Sequence, residues 1–475
     1  MTSRPHHLQR HRADRLLMTD SSLPVTLDAW LTRLEAAHPV GIDLGLERVA
    51  VVARRMGLFD TPIAERVITV AGTNGKGSTV AMLESLAQAH GLSVSCYTSP
   101  HLLRYNERLR LDGIEAEDEL LVAGFVAVEQ ARLAPEPVSL TYFEVGTLAA
   151  LWAIARQHPQ LAVLEVGLGG RLDAVNIIDA DVAVVTTVAQ DHAAFLGTDI
   201  NVIGREKAGI MRAQRPVVLG STSLPPSVSE YAADIGARAY HLDSEFSHSS
   251  TFSDSPEFVD GDSRDVALWN WAGKAASGQA LCLEALPDPK LPRDNAAAAL
   301  QALALSGVML DVEACRRALS SVRINGRMQW RGQWCLDVGH NPHAAAWVAE
   351  QLSTTSSPGA RTLCLLGMLE DKDADGVIEA LAPAIDAWLP VSLEGDRARK
   401  ASDLAQRLEL NGQQVMHQAD SPVEAAIWLQ TRLEPGDRVL VTGSFLTVSA
   451  IMGMWHQASS DDENGSREQD EIRNA

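Results

Sequence analysis

Residues 66–78 read Arg66-Val-Ile-Thr-Val-Ala-Gly72-Thr-Asn-Gly-Lys76-Gly-Ser78. The β-branched run Val67–Ala71 predicts a buried strand, and a helical pattern follows over Ser78–His90, stopped by Gly91. Strand, glycine-rich turn and helix in that order form a phosphate cradle. Backbone N–H groups wrap the anion, the helix N-terminus adds partial positive charge, and Lys76 supplies a point charge. The strict GxxxxGK[ST] pattern is broken, because Gly77 follows Lys76 and Ser78 comes one place late. A flexible turn with a solvent lysine is the alternative, and the flanking strand and helix weigh against it.

Outward from this stretch, short apolar runs alternate with helical patterns, as parallel α/β architecture requires. Further strands are predicted at Leu161–Val166, Val182–Val188, Val217–Leu219, Trp334–Val338, Thr362–Gly367, Trp388–Val391 and Arg438–Thr442. Several are apolar throughout, as strands covered on both faces are. Helices are predicted at Tyr142–Arg156, Asn295–Ala304, Pro342–Leu352 and Pro422–Leu433. The serine- and aspartate-rich residues 243–265 predict a surface loop or a small excursion, with no function assigned. The segment Arg323–Gly332 interrupts the alternation and precedes a fresh βαβ series. The expected division is a polar extension over 1–22, a nucleotide- and substrate-binding domain over 23–322, a linker over 323–332, a smaller domain over 333–458, and an acidic tail over 459–475. Both ends are expected to be disordered.

The 475 residues carry 40 Lys plus Arg against 61 Asp plus Glu, a formal charge of -21. The tails have opposite signs, four arginines against two aspartates in 1–20 and six acids against two arginines in 459–475, so the acidity belongs to the body. Such a body argues against nucleic acid and anionic membranes as partners. Phosphate must then be bound by local devices. No run reaches the 18 or so apolar residues of a membrane span, and no apolar stretch follows the N-terminal arginines as a secretory signal would need. Five dispersed cysteines without a CxxC pair predict buried thiols in a reducing compartment, the cytoplasm.

Ligands of open α/β sheets bind beyond the carboxyl ends of the strands, and chemistry-bearing residues gather there. Leu161-Ala-Val-Leu-Glu165 ends on an acid, followed by glycines, Arg171 and Asp173. A glutamate inside an apolar strand needs a metal or an ion partner, so Glu165 is read as a Mg²⁺ ligand or as the salt-bridge partner of Arg171. His192 follows the next strand and is a cap, a core residue or a ligand. Lys207, in Gly204-Arg-Glu-Lys-Ala-Gly209, reads on its own as a surface lysine. Ser99 ends a strand-like segment and could ligate metal or phosphate. Thr141 to Glu144 could simply cap a helix. Asp337-Val-Gly-His340-Asn341-Pro342 is richer than a cap needs and would suit a nucleotide or an amino acid.

Together these residues resemble the Mur ligase superfamily, and within it the bacterial bifunctional dihydrofolate synthases/folylpolyglutamate synthases. The resemblance rests on residues 72–78, Asp337 with His340-Asn341-Pro342, Ile42–Arg48, Ser99-Pro-His101, Leu140–Glu144, Glu165–Asp173 and Gly204–Gly209, in one order over about residues 24–455. It implies a P-loop NTPase-like parallel-sheet N-terminal domain with a smaller Rossmann-like α/β domain after it. It also implies an ATP-dependent ligase, acting as a monomer, that adds L-glutamate to dihydropteroate and to tetrahydrofolates through an acyl phosphate. By the same resemblance Thr73, Asn74, Gly75, Lys76, Gly77 and Ser78 hold ATP phosphates, and Asn295, Arg327 and Asp337 grip the nucleotide. Ser99, Glu165, His192 and a carbamylated Lys207 would ligate magnesium, as two ions. Lys76, Lys207, His192 and His340 would be catalytic. Asp43, Leu44, Thr141, Tyr142, Phe143, Glu144, Leu172, Asp173 and Ala174 would line the pterin side. Gly339 stands where the family commonly has alanine. A cell-wall ligase of the same superfamily is the alternative, against which the Leu140–Glu144 and Ile42–Arg48 segments argue. A P-loop NTPase without ligase activity would not need the Asp337–Pro342 site.

Overall fold

The computed structural model describes residues 23–37, 43–251, 268–354 and 359–457. The expected N-terminal extension and acidic tail lie outside them. Strands β1 (Val67–Ala71), β2 (Val94–Tyr97), β3 (Leu109–Leu111), β4 (Ile114–Glu115), β5 (Leu161–Glu165), β6 (Val182–Val185), β7 (Pro216–Leu219) and β8 (Arg238–His241) form one sheet, in the order β4-β3-β2-β5-β1-β6-β7-β8. From β2 to β8 the pairing is parallel; β3 and β4 are antiparallel at one edge. All five residues of β1 are buried. Alternation sends Ile68 and Val70 into a core with helices Lys76–Ala89, Arg293–Leu305 and Val312–Ser321, while Val67 faces a second core under Leu27–Ala37 and Tyr142–Gln157. Covering both faces is what a parallel sheet requires.

β1 pairs with β5 on one side and β6 on the other, while the chain leaving β1 runs to β2 beyond β5. The order therefore reverses at β1, and the crevice of an open α/β sheet lies at such a reversal. The ends of β1, β2, β5 and β6 deliver residues 72–78, Ser99, Glu165 and Asp191-His192 to it.

Two features depart from expectation. Ser247–Thr251, inside the expected loop 243–265, forms β9, which pairs with β10 (Leu268–Lys274) and through it with β11 (Ala280–Pro287) in a small antiparallel sheet; residues 252–265 lie outside the described residues. Its serines disguise the strand, whose fold comes from β10: Trp269 and Trp271 are fully buried in the same core as the alanine-rich helix Arg293–Leu305. Second, β12 (Gln329–Arg331), inside the expected linker, pairs with β13 (Trp334–Leu336). With β14 (Thr362–Leu366), β15 (Ala387–Pro390) and β16 (Arg438–Thr442) they form a sheet in the order β12-β13-β16-β14-β15, so the second sheet begins before residue 333. Four cysteines are buried as expected, but Cys282 is exposed on the outer strand β11. No helix among the described residues is long and apolar enough to cross a membrane.

Candidate active site

The phosphate loop is built by backbone restraint. Thr73 N–H donates to the Thr187 carbonyl at 2.8 Å and Asn74 N–H to Thr187 Oγ1 at 2.9 Å, pinning the start of the loop to the end of β6. The helix begins at Lys76, two residues before the predicted start, and Thr79 N–H is bonded back to the Gly75 carbonyl at 2.9 Å. The N–H groups of Lys76, Gly77 and Ser78 precede that first helical bond, and such first-turn donors suit an anion. Gly75 has φ +84°, and a Cβ there would lie 2.6 Å from Asn295 Oδ1. Gly75→Ala is therefore expected to lose about 1–3 kcal/mol of stability in denaturant unfolding and to weaken nucleotide binding, because Asn295 must move.

The Lys76 ammonium donates to the Gly72 and Thr73 carbonyls of its own loop, at 3.0 and 3.2 Å. It does not pair with the Glu165 carboxylate. Glu165 is 5% exposed and accepts the Ser99 N–H at 3.2 Å; burial raises its pKa, opposed mainly by Lys76. Arg171, its alternative partner, instead grips Glu206 at 2.7 Å, so the salt-bridge reading of Glu165 falls. A buried carboxylate with open coordination fits a hard cation. Burial holds the His192 imidazole down to about 4, with Lys372, Lys76 and His340 acting the same way against Asp191, so the ring is neutral and able to ligate. Among the described residues no three His, Cys, Asp or Glu side chains gather closely enough to hold an ion by themselves. A cation held here would need further donors, such as the Ser99 hydroxyl or phosphate oxygens.

Lys207 is not the surface lysine of the simplest reading. It is 4% exposed in helix Ile200–Ala208, and burial, with Lys76 nearby, pushes its amine down to about 7. The helix is held against the turn after β5: a Cβ on Gly170 would meet the Glu206 carbonyl at 2.8 Å, and Arg171 N–H donates to that carbonyl.

The second domain closes the site. Asp337 is buried at the end of β13 and accepts the N–H groups of Gly339 at 2.8 Å and Met328 at 3.0 Å. A Cβ on Gly339 would stand 2.9 Å from Asp337 Oδ1, so glycine allows this approach. Asn74 and Asn341 exchange amide hydrogen bonds of 3.1 and 2.8 Å across the cleft. His340 Nε2 lies 3.4 Å from Asp191 Oδ2. Between the domains is a cavity of about 670 Å³, lined by residues 72–78, Ser99, Glu165, His192, Lys207, Asn295, Arg327, Asp337 and His340.

The nine residues expected on the pterin side do not line this cavity. Thr141 and Glu144 form a capping box, Thr141 N–H to Glu144 Oε2 at 2.7 Å and Glu144 N–H to Thr141 Oγ1 at 3.2 Å. Asp173 takes three N–H groups, from Gly167, Leu168 and Val175, and burial pushes its carboxyl up to about 6. Phe143 packs against Gly167, which does line the cavity. Arg48 joins the group: it pairs with Asp43 and donates to Glu144 Oε1 at 2.8 Å. Sequence reasoning gave no role to Arg48, Asp191 or Lys372. Lys372 sits in the charge run Glu370-Asp371-Lys372-Asp373, which resembles a solvated face, and only its place just beyond β14 marks it.

A model of the Mur ligase middle domain matches residues 70–219, and one of the Mur ligase glutamate ligase domain matches 326–445. The dihydrofolate synthase/folylpolyglutamate synthase of Escherichia coli is 42% identical over 429 residues, covering 90% of this chain and 94% of its own. This chain belongs to the dihydrofolate synthase/folylpolyglutamate synthase family of Mur ligases. The Haemophilus influenzae member is 36% identical, over 89% of this chain and 96% of its own. Among solved structures of the family, the E. coli protein in complex with DHPP and ADP superposes with a TM-score of 0.81 at 40% identity, covering 91% of this chain and 98% of that one. A family member solved with Mn, AMPPNP and L-glutamate gives 0.79 at 40% identity, over 91% and 98%. The chain is thus an ATP-dependent ligase, and the cell-wall alternative is set aside.

Proposed function

We propose that this enzyme uses ATP to activate the carboxylate of dihydropteroate, and of tetrahydrofolates, and joins it to the amine of L-glutamate. The observation that carries this reading is the cavity shared by two domains, with the phosphate loop and Glu165 on one wall and Asp337–His340 on the other. Relatives solved with DHPP and ADP, and with AMPPNP and L-glutamate, support it.

A carboxylate is a poor acyl donor, so its oxygen first takes the γ-phosphoryl group of ATP, and ADP is the leaving group. The loop amides and Lys76 stabilise the charge that spreads over the transferring oxygens. Asn295, Arg327 and Asp337 hold the nucleotide across the cleft, which sets the attacking and leaving oxygens in line. Ser99, Glu165, His192 and carbamylated Lys207 are the residues that would hold magnesium, as two ions, which neutralise phosphate charge. The amine of L-glutamate then attacks the acyl carbon and phosphate leaves. His340, at the second-domain wall, faces that step, and closure of the cleft keeps water from the acyl phosphate. The cluster of Asp43, Leu44, Thr141–Glu144 and Leu172–Ala174 with Arg48 shapes the pterin side from behind the Gly167 turn. Because one chain builds the whole cavity, a monomer suffices, and the four buried free thiols support the cytoplasm as its place.

The test is ADP release by purified protein with MgATP. It is expected to require L-glutamate together with dihydropteroate or tetrahydrofolate; no release and no glutamate incorporation with either acceptor overturns the reading.

A further inference from the structure

Asp191 follows β6 in the first domain, yet both its oxygens are met from the second. His340 Nε2 lies 3.4 Å from Oδ2, and the Lys372 ammonium donates to Oδ1. The Lys372 and Asp191 side chains are 7% and 9% exposed, so this ion pair is nearly dry. Two ions lose their hydration there, and only good geometry offsets that loss. Removing one partner strands the other.

Lys372 is itself held. Arg399, 8% exposed, donates to the Glu370 carbonyl at 2.8 Å and to the Lys372 carbonyl at 3.2 Å, which ties down the turn that carries the ammonium. On the other side of the cleft, Asp191 Oδ1 also accepts the His192 N–H at 2.8 Å, and His192 has φ +53°, a conformation a non-glycine residue keeps only when its surroundings impose it. A chain of contacts therefore runs from Arg399 through Lys372 and Asp191 to the backbone of His192, with His340 as a branch.

We propose that Lys372 is a positioning residue of the ligase reaction: it crosses the cleft to hold Asp191, and so sets the closed arrangement in which His192 and His340 face one cavity. The proposal rests on the ligase reading for its activity readout, but not for its structural one. Lys372 acts through Asp191, so the two residues must be energetically coupled and the cleft must loosen when either charge is removed.

The experiment uses the full chain and compares Lys372→Met, Lys372→Arg, Asp191→Asn and the double variant Lys372→Met/Asp191→Asn. Solution X-ray scattering reads the closure, and steady-state kinetics reads kcat and KM. Lys372→Met and Asp191→Asn are each expected to raise the radius of gyration and lower kcat by about 100-fold, the cost of a small misplacement of reacting groups, while KM for L-glutamate stays within about threefold. Lys372→Arg keeps the charge and is expected to retain wild-type scattering and most of kcat. The double variant is expected to be no worse than the weaker single one. Wild-type scattering and turnover in Lys372→Met overturn the proposal, as do losses that multiply in the double variant, or a raised L-glutamate KM with unchanged scattering. If the wild-type enzyme joins no glutamate, the ligase reading falls, and the scattering comparison still decides the latch.

Discussion

Lys207→Ala is expected to lower ATP-dependent glutamate joining by about 10³-fold, the upper end of what one electrostatic group of an active site contributes, and added bicarbonate is not expected to restore it. The amine is buried at 4% exposure beside Lys76, and burial brings it down to about 7 from its ordinary value. A carbamate forms only from the neutral amine. The sign follows: as pH rises through about 7 the amine loses its proton, so labelling by ¹³C-bicarbonate is expected to be weak at pH 6 and strong at pH 8. Methylene loss at a buried site also costs stability, so the decisive readout is the carbamate carbon resonance, present in the wild type at pH 8 and missing in the variant. A variant with wild-type turnover removes the carbamate role.

Glu165→Gln is expected to act on activity and stability with opposite signs. The carboxylate is buried at the end of β5, accepts one N–H from Ser99, and is not paired by Lys76 or Arg171. Burial disfavours its charged form, so the neutral amide should leave the metal-free protein as stable as the wild type or more so. Loss of an anionic ligand should raise the magnesium concentration needed for half-maximal turnover by about 10–100-fold. Thermal melts without metal and a magnesium titration of turnover check the two halves. A variant that melts much earlier and titrates normally would make Glu165 a structural residue instead.

The strand-turn-helix of residues 66–78 was legible because it is local: apolar run, glycines and lysine are consecutive, and β1 is buried on both faces. Glu165 and Asp337 were legible for a related reason, as acids at the ends of apolar strands. The β9 strand was not, because Ser247–Thr251 has no apolar face and takes its fold from the tryptophans of β10. Lys207 was misread as surface on its own pattern, since nothing in Arg205-Glu206-Lys207 tells that Gly170 lets the helix press against the turn after β5. Asp191 and Lys372 are 181 residues apart, and their pairing exists only once two domains meet. Pairing across a cleft leaves no periodicity in either segment. The group expected on the pterin side is a different case: Asp43 and Glu144 share Arg48, and Thr141 and Glu144 cap one helix, so their polar atoms, like those of Asp173, are largely spent on one another and on backbone N–H groups.

On the proposed reading, one cavity first phosphorylates a carboxylate and then passes the acyl group to glutamate. Dihydropteroate labelled with ¹⁸O in its carboxylate tests this most directly. With MgATP and L-glutamate, one labelled oxygen is predicted to appear in inorganic phosphate for each glutamate joined, whereas glutamate joining with unlabelled phosphate would contradict the account.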